Sequence, residues 1–285
     1  MPRLIITADD LGIDPYINSA IVECYKEGLL TCSALLVNAP YSKEGIEIAK
    51  KYPNLEVGLH LSIVEGLSLR RVESTVTDDI QYFNDICLIR DWKIFAKKYF
   101  LGKINFNELE EELELQILEF LKHFPKIPFI NGTQHMHLLP KVWKIVVKLA
   151  KKYEIKGIRV PSIEFPNRHY LNSRLLPLVL FNILGQFDRL SLKKSNIKTT
   201  NNVIGMQYSG KISQDILLKI LKSISKKSTS EIVMHPGYES LTLRKNLPWA
   251  YSKFNWDLER QALLSPKIKE FIIKNNIELI KFTDL

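Results

Sequence analysis

A chain of 285 residues, 46% hydrophobic and 25% charged, can bury a large core and is neither disordered overall nor fibrous. Lys and Arg outnumber Asp and Glu by 40 to 31, a formal charge of +9. The basic residues are scattered in pairs such as Lys50-Lys51, Lys97-Lys98 and Lys151-Lys152 without interleaved stacking aromatics, so nucleic acid is not an expected partner.

The opening MPRLIITADD reaches an acidic pair within ten residues, with no long apolar run ahead of it, so no secretory signal is expected. A first strand over Leu4 to Ala8 closes on Asp9-Asp10, and a turn through Gly12 and Asp14-Pro15 leads into a helical period over Ile17 to Glu27. Strands are then predicted at Leu30 to Val37, Leu55 to Leu61, Phe129 to His135, Gly157 to Val160, Glu231 to His235 and Ile277 to Phe282. Helices are predicted between most of them, at Lys43 to Lys51, Asn107 to Phe124, Lys141 to Tyr153, Ser213 to Lys226 and Pro266 to Asn275. Cys24, Cys32 and Cys87 lack CxxC spacing, which argues against a disulfide framework and fits core thiols in a reducing, cytoplasmic compartment.

Alternating strands and helices read as βαβ units around a parallel sheet. The fold class is α/β: a closed or nearly closed, distorted (β/α) barrel of about seven parallel strands, with a doubly wound open sheet as the alternative. One domain is expected over 1–285, with insertions near 66–106 and 162–210. The second insertion carries RLLPLVLFNILGQF, Arg174 to Phe187, too short to span a bilayer and flanked by Arg168, Arg189, Lys193 and Lys194. It reads either as a buried or capping helix, or as a surface helix that touches membrane lipid or covers a lipid-linked substrate.

In a parallel sheet the ligand site lies at the carboxyl ends of the strands. Four polar clusters end apolar runs: Asp9-Asp10, His60, the run Thr133-Gln134-His135-Met136-His137, and His235 before Pro236-Gly237. Adjacent carboxylates repel unless a cation or a shared proton offsets the cost; the plainer reading of the pair is a helix N-cap. Beside His60, Gly58 lets a substrate or a neighbouring backbone come close. An Asp with two His suits a divalent ion that polarises a carbonyl and a water, with a second carboxylate as base and an imidazole as acid to the leaving amine. That assembly is a metal-dependent amide hydrolase. No GxSxG, GxGxxG or P-loop pattern competes with it.

Taken together, RLIITADDLG at 3–12, GLLTCSALLVNAP at 28–40, VGLHLSIVEG at 57–66, NGTQHMHLLP at 131–140, IRVP at 158–161 and EIVMHPG at 231–237 resemble the YdjC-like carbohydrate deacetylases, the ChbG/HpnK family. Three stretches, VGLHLSIVEG, IRVP and GMQYSGKIS at 205–213, are most similar to the hopanoid-associated HpnK branch. The resemblance implies a barrel related to polysaccharide deacetylases that removes acetyl from an N-acetylated amino sugar, with a lipid-linked sugar as the form the HpnK branch suggests. By motif match Asp9 is the general base, His235 the general acid, and Asp10 and His60 are ligands to a divalent metal, Mg²⁺ or Zn²⁺. The family's third ligand is the first histidine of an HxHxH-like run, and here that position is Thr133. Either His135, two residues on and on the same face of an extended strand, reaches the metal in its place, or Thr133 holds a metal-bound water, or tight metal binding is lost and the chain binds sugar without turnover. His137, Thr133 and Arg159 are assigned to the sugar pocket. Peripheral membrane contact and a homodimer are left open.

Overall fold

Residues 1–82, 85–161, 175–193, 195–225, 228–246 and 254–285 are described by the computed structural model. The first strand, β1 (Arg3–Leu11), is buried along nearly all its length. That burial is what a parallel strand covered on both faces requires, and it explains the near-continuous apolar run LIITA. It is one of seven parallel strands, in the order β7 (Gly157–Ile158), β6 (Phe129–Gly132), β3 (Glu56–Leu61), β2 (Cys32–Leu35), β1, β9 (Thr229–Met234) and β8 (Asn202–Ile204). A further short strand, β10 (Glu278–Leu279), pairs with the start of β1. The sheet curls into an incomplete barrel. Its opening, between β7 and β8, is bridged by one parallel pair, Gly157 with Lys198 just ahead of β8.

The helices that cover the sheet are amphipathic, and several are capped by a side chain at their first turn. In α1 (Pro15–Lys26) the cap is Asp14, whose carboxylate accepts the Tyr16 N–H at 2.8 Å, and Pro15 occupies the first turn. Asp9 and Asp10 therefore do not cap this helix. Along α4 (Phe106–Leu121), the buried Glu112 accepts from the Ser68 hydroxyl and the Leu69 and Arg70 amides, while Gln116 pairs with both backbone groups of Ser62. With the Gln116 amide as a fourth donor, this buried carboxylate is satisfied rather than stranded. These bonds fix the chain that follows β3. The three cysteines are free and buried.

Between residues 66 and 106 the predicted interruption contains an antiparallel pair, β4 (Thr77–Tyr82) with β5 (Asp85–Leu88), and a helix, α3 (Trp92–Phe100). The second interruption departs from expectation, because β8 inside it is a barrel strand paired with β9. Its three residues are too few to show a hydrophobic period. The same region holds α6 (Leu175–Leu192), which packs tightly on the strand ends: a Cβ added at Gly185 would lie 2.3 Å from the Pro161 carbonyl. From α6 the Arg189 guanidinium donates to the carbonyls of Val160, Pro161 and Thr200. The expected flanking charges Arg168, Arg174 and Lys194 lie outside the described residues. No described helix is long and apolar enough to cross a membrane. Val179, Ile183 and Phe187, four residues apart, nonetheless leave an apolar stripe exposed on α6.

Two local departures shape the rim. The strand expected to reach His135 ends at Gly132, and Thr133–Leu138 forms a tight helical turn with left-handed backbone at Gln134 (φ 51°) and His135 (φ 57°). The chain must reverse here because α5 (Pro140–Lys152) begins at once with Pro140. The expectation that His135 shares the face of Thr133 along an extended strand is therefore corrected. In β1 the register against β2 slips between Ala8 and Leu11, with Asp10 at φ 70°. This bulge inserts one extra residue and re-aims side chains at the rim. Gly58 is needed for packing rather than for a ligand, since a Cβ there would sit 2.5 Å from the Phe129 carbonyl and 2.6 Å from its ring.

Candidate functional site

A polar chain runs through the barrel interior from β9 to β3. Its anchor is Glu231, fully buried in β9, whose Oε1 accepts from the Thr7 hydroxyl (2.8 Å) and from Nε and Nη2 of Arg159 (2.8 and 2.7 Å). Just past β7, Arg159 presents its fork to Asp9, with Nη1 to Oδ2 at 2.6 Å and Nη2 to Oδ1 at 3.0 Å. Burial alone would raise the Asp9 carboxyl, but the Arg159 guanidinium, helped by His60, holds it well below the usual carboxylate range. Asp9 is therefore ionised and can only accept hydrogen bonds.

That protonation state propagates outward. Asn131 donates its amide N–H to Asp9 Oδ1 at 3.0 Å, which leaves its carbonyl oxygen facing His60 Nδ1 at 2.6 Å. His60 and Asn131 are register partners on β3 and β6, so the contact follows from the parallel pairing. Because the amide oxygen only accepts, Nδ1 of His60 carries a proton, and Nε2 faces Asp10 Oδ1 at 3.4 Å. Burial would lower the His60 pKa, but Asp9 and Asp10 outweigh it and raise it. The bulge in β1 places both carboxylates around this one imidazole.

His235 follows β9 on the same rim, its side chain 13% exposed. The fully buried Glu259, from α9 (Trp256–Leu264), accepts the His235 backbone N–H at 2.5 Å and the Ile212 N–H at 3.1 Å, and lies 3.7 Å from His235 Nδ1. Burial would lower the His235 pKa; Glu259 reverses this and raises it. Two candidate proton-transfer groups are thus held in opposite states: Asp9 deprotonated, His235 biased to the imidazolium.

The Thr133 run is placed differently from its expectation. Thr133 is buried at the end of β6, where its hydroxyl donates to the Val64 carbonyl (2.8 Å) and receives the N–H groups of Ile63 and Val64 at 3.3 and 3.4 Å. His137 is fully buried with Nε2 3.0 Å from the Arg159 carbonyl, and burial lowers its pKa to about 4. His135 stands against the edge of Phe181 from α6, its Nδ1 buried without a hydrogen-bond partner among the described residues, and burial with the neighbouring His137 and Arg159 holds it neutral. Of the three residues expected to line a sugar pocket, Arg159 is fully buried beside Asp9 and gives four hydrogen bonds to Asp9 and Glu231.

The profile of the family described as YdjC-like protein matches residues 3–274. The chain belongs to the YdjC-like family. Among similar proteins, the carbohydrate deacetylase of Thermoanaerobacter pseudethanolicus is 27% identical over 287 residues, covering all of both chains. The carbohydrate deacetylase of Clostridium beijerinckii is 28% identical over 285 residues, covering 99% of this chain and all of that one. In fold, this YdjC-like chain superposes with a TM-score of 0.75 on the crystal structure of an Enterococcus faecalis protein described as a cellobiose-phosphate cleavage protein. Those two are 22% identical, with 99% of this chain and 98% of the other covered.

For the divalent metal that the family resemblance implies, the donor set is incomplete. Asp10 and His60 approach each other, but the Thr133 hydroxyl is engaged by backbone on every side. Among the described residues no three His, Cys, Asp or Glu side chains converge to hold an ion. The residues present do not fit a closed three-ligand centre.

Three site residues escape sequence reasoning: Asn131, Glu231 and Glu259. Glu231 carries a faint signal, a lone charge inside the apolar strand EIVM. Glu259 has none, because a glutamate in an amphipathic helix reads as a solvated face until α9 is seen to turn it inward.

Proposed function

We propose that this YdjC-like chain hydrolyses the acetamide of an N-acetylated amino sugar of N-acetylglucosamine type. The observation that carries this reading is the pair of rim groups tuned apart, Asp9 kept ionised by Arg159 and His235 drawn toward its protonated form by Glu259. Pairs separated in this way mark the base and the acid of a hydrolytic step. Asp9 accepts a proton from water as the water oxygen bonds to the acetyl carbon. His235 gives a proton to the sugar nitrogen as the C–N bond breaks, releasing acetate and the amine. As a base Asp9 is well aimed rather than strong, since the same clamp that orients it lowers its basicity. Metal dependence belongs to the family reading, in which Asp10 and His60 are the ligand positions that this rim retains; by themselves they do not complete an ion's shell.

A lipid- or hopanoid-linked aglycone is the finer part of the proposal. The exposed stripe on α6 supports it, because α6 also places Phe181 against His135. Contact with a lipid surface or with a second copy of the chain would fall on that stripe, and the free thiols suit a cytoplasmic setting. The engagement of Thr133 favours a second reading, a homologue that binds the sugar with little turnover. Acetate release from soluble and lipid-linked N-acetylglucosaminyl acceptors, with Zn²⁺, Mg²⁺ or Co²⁺ supplied, tests the first. Silence from every acceptor would leave only the binding reading, which calorimetry with the same sugars examines.

The acid role makes a pH prediction. A raised His235 stays protonated to higher pH, so activity is lost as pH rises through that raised pKa. Glu259→Gln removes the charge that raises it, so the alkaline limb of kcat should move to lower pH, by about one pH unit for each 1.4 kcal/mol of lost interaction. An unmoved alkaline limb in a folded Glu259→Gln protein would remove His235 from the acid role.

A further inference from the structure

Thr133 decides what the rim can hold. A hydroxyl has one proton and two acceptor positions. In Thr133 the proton goes to the Val64 carbonyl and both acceptor positions face backbone N–H groups, those of Ile63 and Val64. The side chain is 2% exposed. With all three positions taken, nothing on this oxygen is left to face a cation or to hold a water that could do so. Its work is local: it extends the β3 and β6 pairing one residue beyond the strand ends and pins the loop at Ile63-Val64.

The neighbouring imidazoles do not take over. In His137, Nε2 faces a carbonyl, so that nitrogen holds the proton, while Nδ1 is closed against Gly132, where a Cβ would lie 2.8 Å from it. His135 follows the strand end on left-handed backbone and turns its ring to Phe181. Asp10 and His60 are left, 3.4 Å apart. Two protein donors fill half of a tetrahedral zinc shell and a third of an octahedral magnesium shell.

We infer that this chain does not retain a divalent ion at rest, because Thr133 has become a loop pin in place of a ligand, and that histidine at this one position would supply the missing donor. The inference rests on the YdjC-like reading only for the position where a third donor is expected. It extends that reading by separating two properties a relative would combine, a fold and proton-transfer pair suited to deacetylation, and a resident metal.

The test is calorimetric titration of the chelator-treated full chain with ZnCl₂ and with MnCl₂, without sugar. Wild type should show no saturable binding with a Kd below about 100 μM, and Thr133→His should bind one equivalent on the order of 100-fold tighter. Thr133→Ser, which keeps the pin, should match wild type, and adding Asp10→Asn to Thr133→His should abolish the gain. Two results overturn the inference. One is a wild-type chain that takes one equivalent with a Kd below about 1 μM and loses it on Asp10→Asn. The other is a Thr133→His chain that melts like Thr133→Ser yet gains no affinity. Should Thr133→His fail to fold, the wild-type titration alone decides. Acetate release measured on the same samples keeps the two ideas apart. Metal-free wild type that releases acetate supports both the inference and the deacetylase reading; tight metal with no acetate overturns the inference while the deacetylase reading falls on its own assay.

Discussion

Arg159→Ala should lower the unfolding free energy by about 3–5 kcal/mol, the largest stability effect expected of a single substitution in this protein. The guanidinium is fully buried and makes four hydrogen bonds to Asp9 and Glu231, which are themselves 4% and 0% exposed. Removing it leaves two carboxylates together in the barrel interior with no cation between them. The sign of the pH dependence should then invert. In wild type Asp9 is depressed, so it contributes stability above its unfolded pKa, and that contribution is lost only as pH falls through the lower folded value. Without Arg159, burial dominates and raises the carboxyl, so acidification protonates it and recovers stability. Urea unfolding at neutral pH and near pH 4.5 should show the deficit shrinking at the lower pH. A loss under about 1 kcal/mol at neutral pH would mean that the buried pair is close to neutral in stability.

The largest functional effect is expected at Asp9. Under the deacetylase reading, Asp9→Asn should reduce kcat for acetate release by about 10²–10⁴-fold with KM little changed, because an amide cannot take the proton of the attacking water. Arg159 still has Glu231 as a partner in this variant, so the fold should persist, and circular dichroism with a thermal melt checks that. Retention of a tenth or more of wild-type kcat would assign the base to another group. A KM that rises with kcat intact would mean that Asp9 only holds the sugar.

What the sequence made visible follows from how each feature is written in it. β1, β3 and β9 are apolar runs that stop at a charged or imidazole side chain, so their strands and the convergence of Asp9, Asp10, His60 and His235 on one rim could be read directly. The run after β6 was less legible. Alternating residues in NGTQHMH suggest an extended strand, yet the early start of α5 at Pro140 forces a tight turn and sends His135 toward α6. Three-residue β8 has no period to detect. The partners that set protonation were hidden for another reason. Asn131 and Glu231 gain meaning only from barrel closure, which brings β6, β7 and β9 around a shared interior, and Glu259 only from the docking of α9. Arg159, expected in the sugar pocket, directs its guanidinium to Asp9 and Glu231 instead, since an arginine after a strand reads equally well as facing a ligand or the interior.

The bulge at Asp9-Asp10 carries an evolutionary consequence. A regular strand would send adjacent side chains to opposite faces, so the two carboxylates share the rim only because Asp10 occupies left-handed backbone. Glycine or asparagine would adopt that conformation more comfortably. Asp10 is therefore a position where thermodynamic fitness and site chemistry pull apart. A lineage released from selection on the site would drift there early, whereas Arg159 and Glu231, which the barrel needs for its own integrity, would be held.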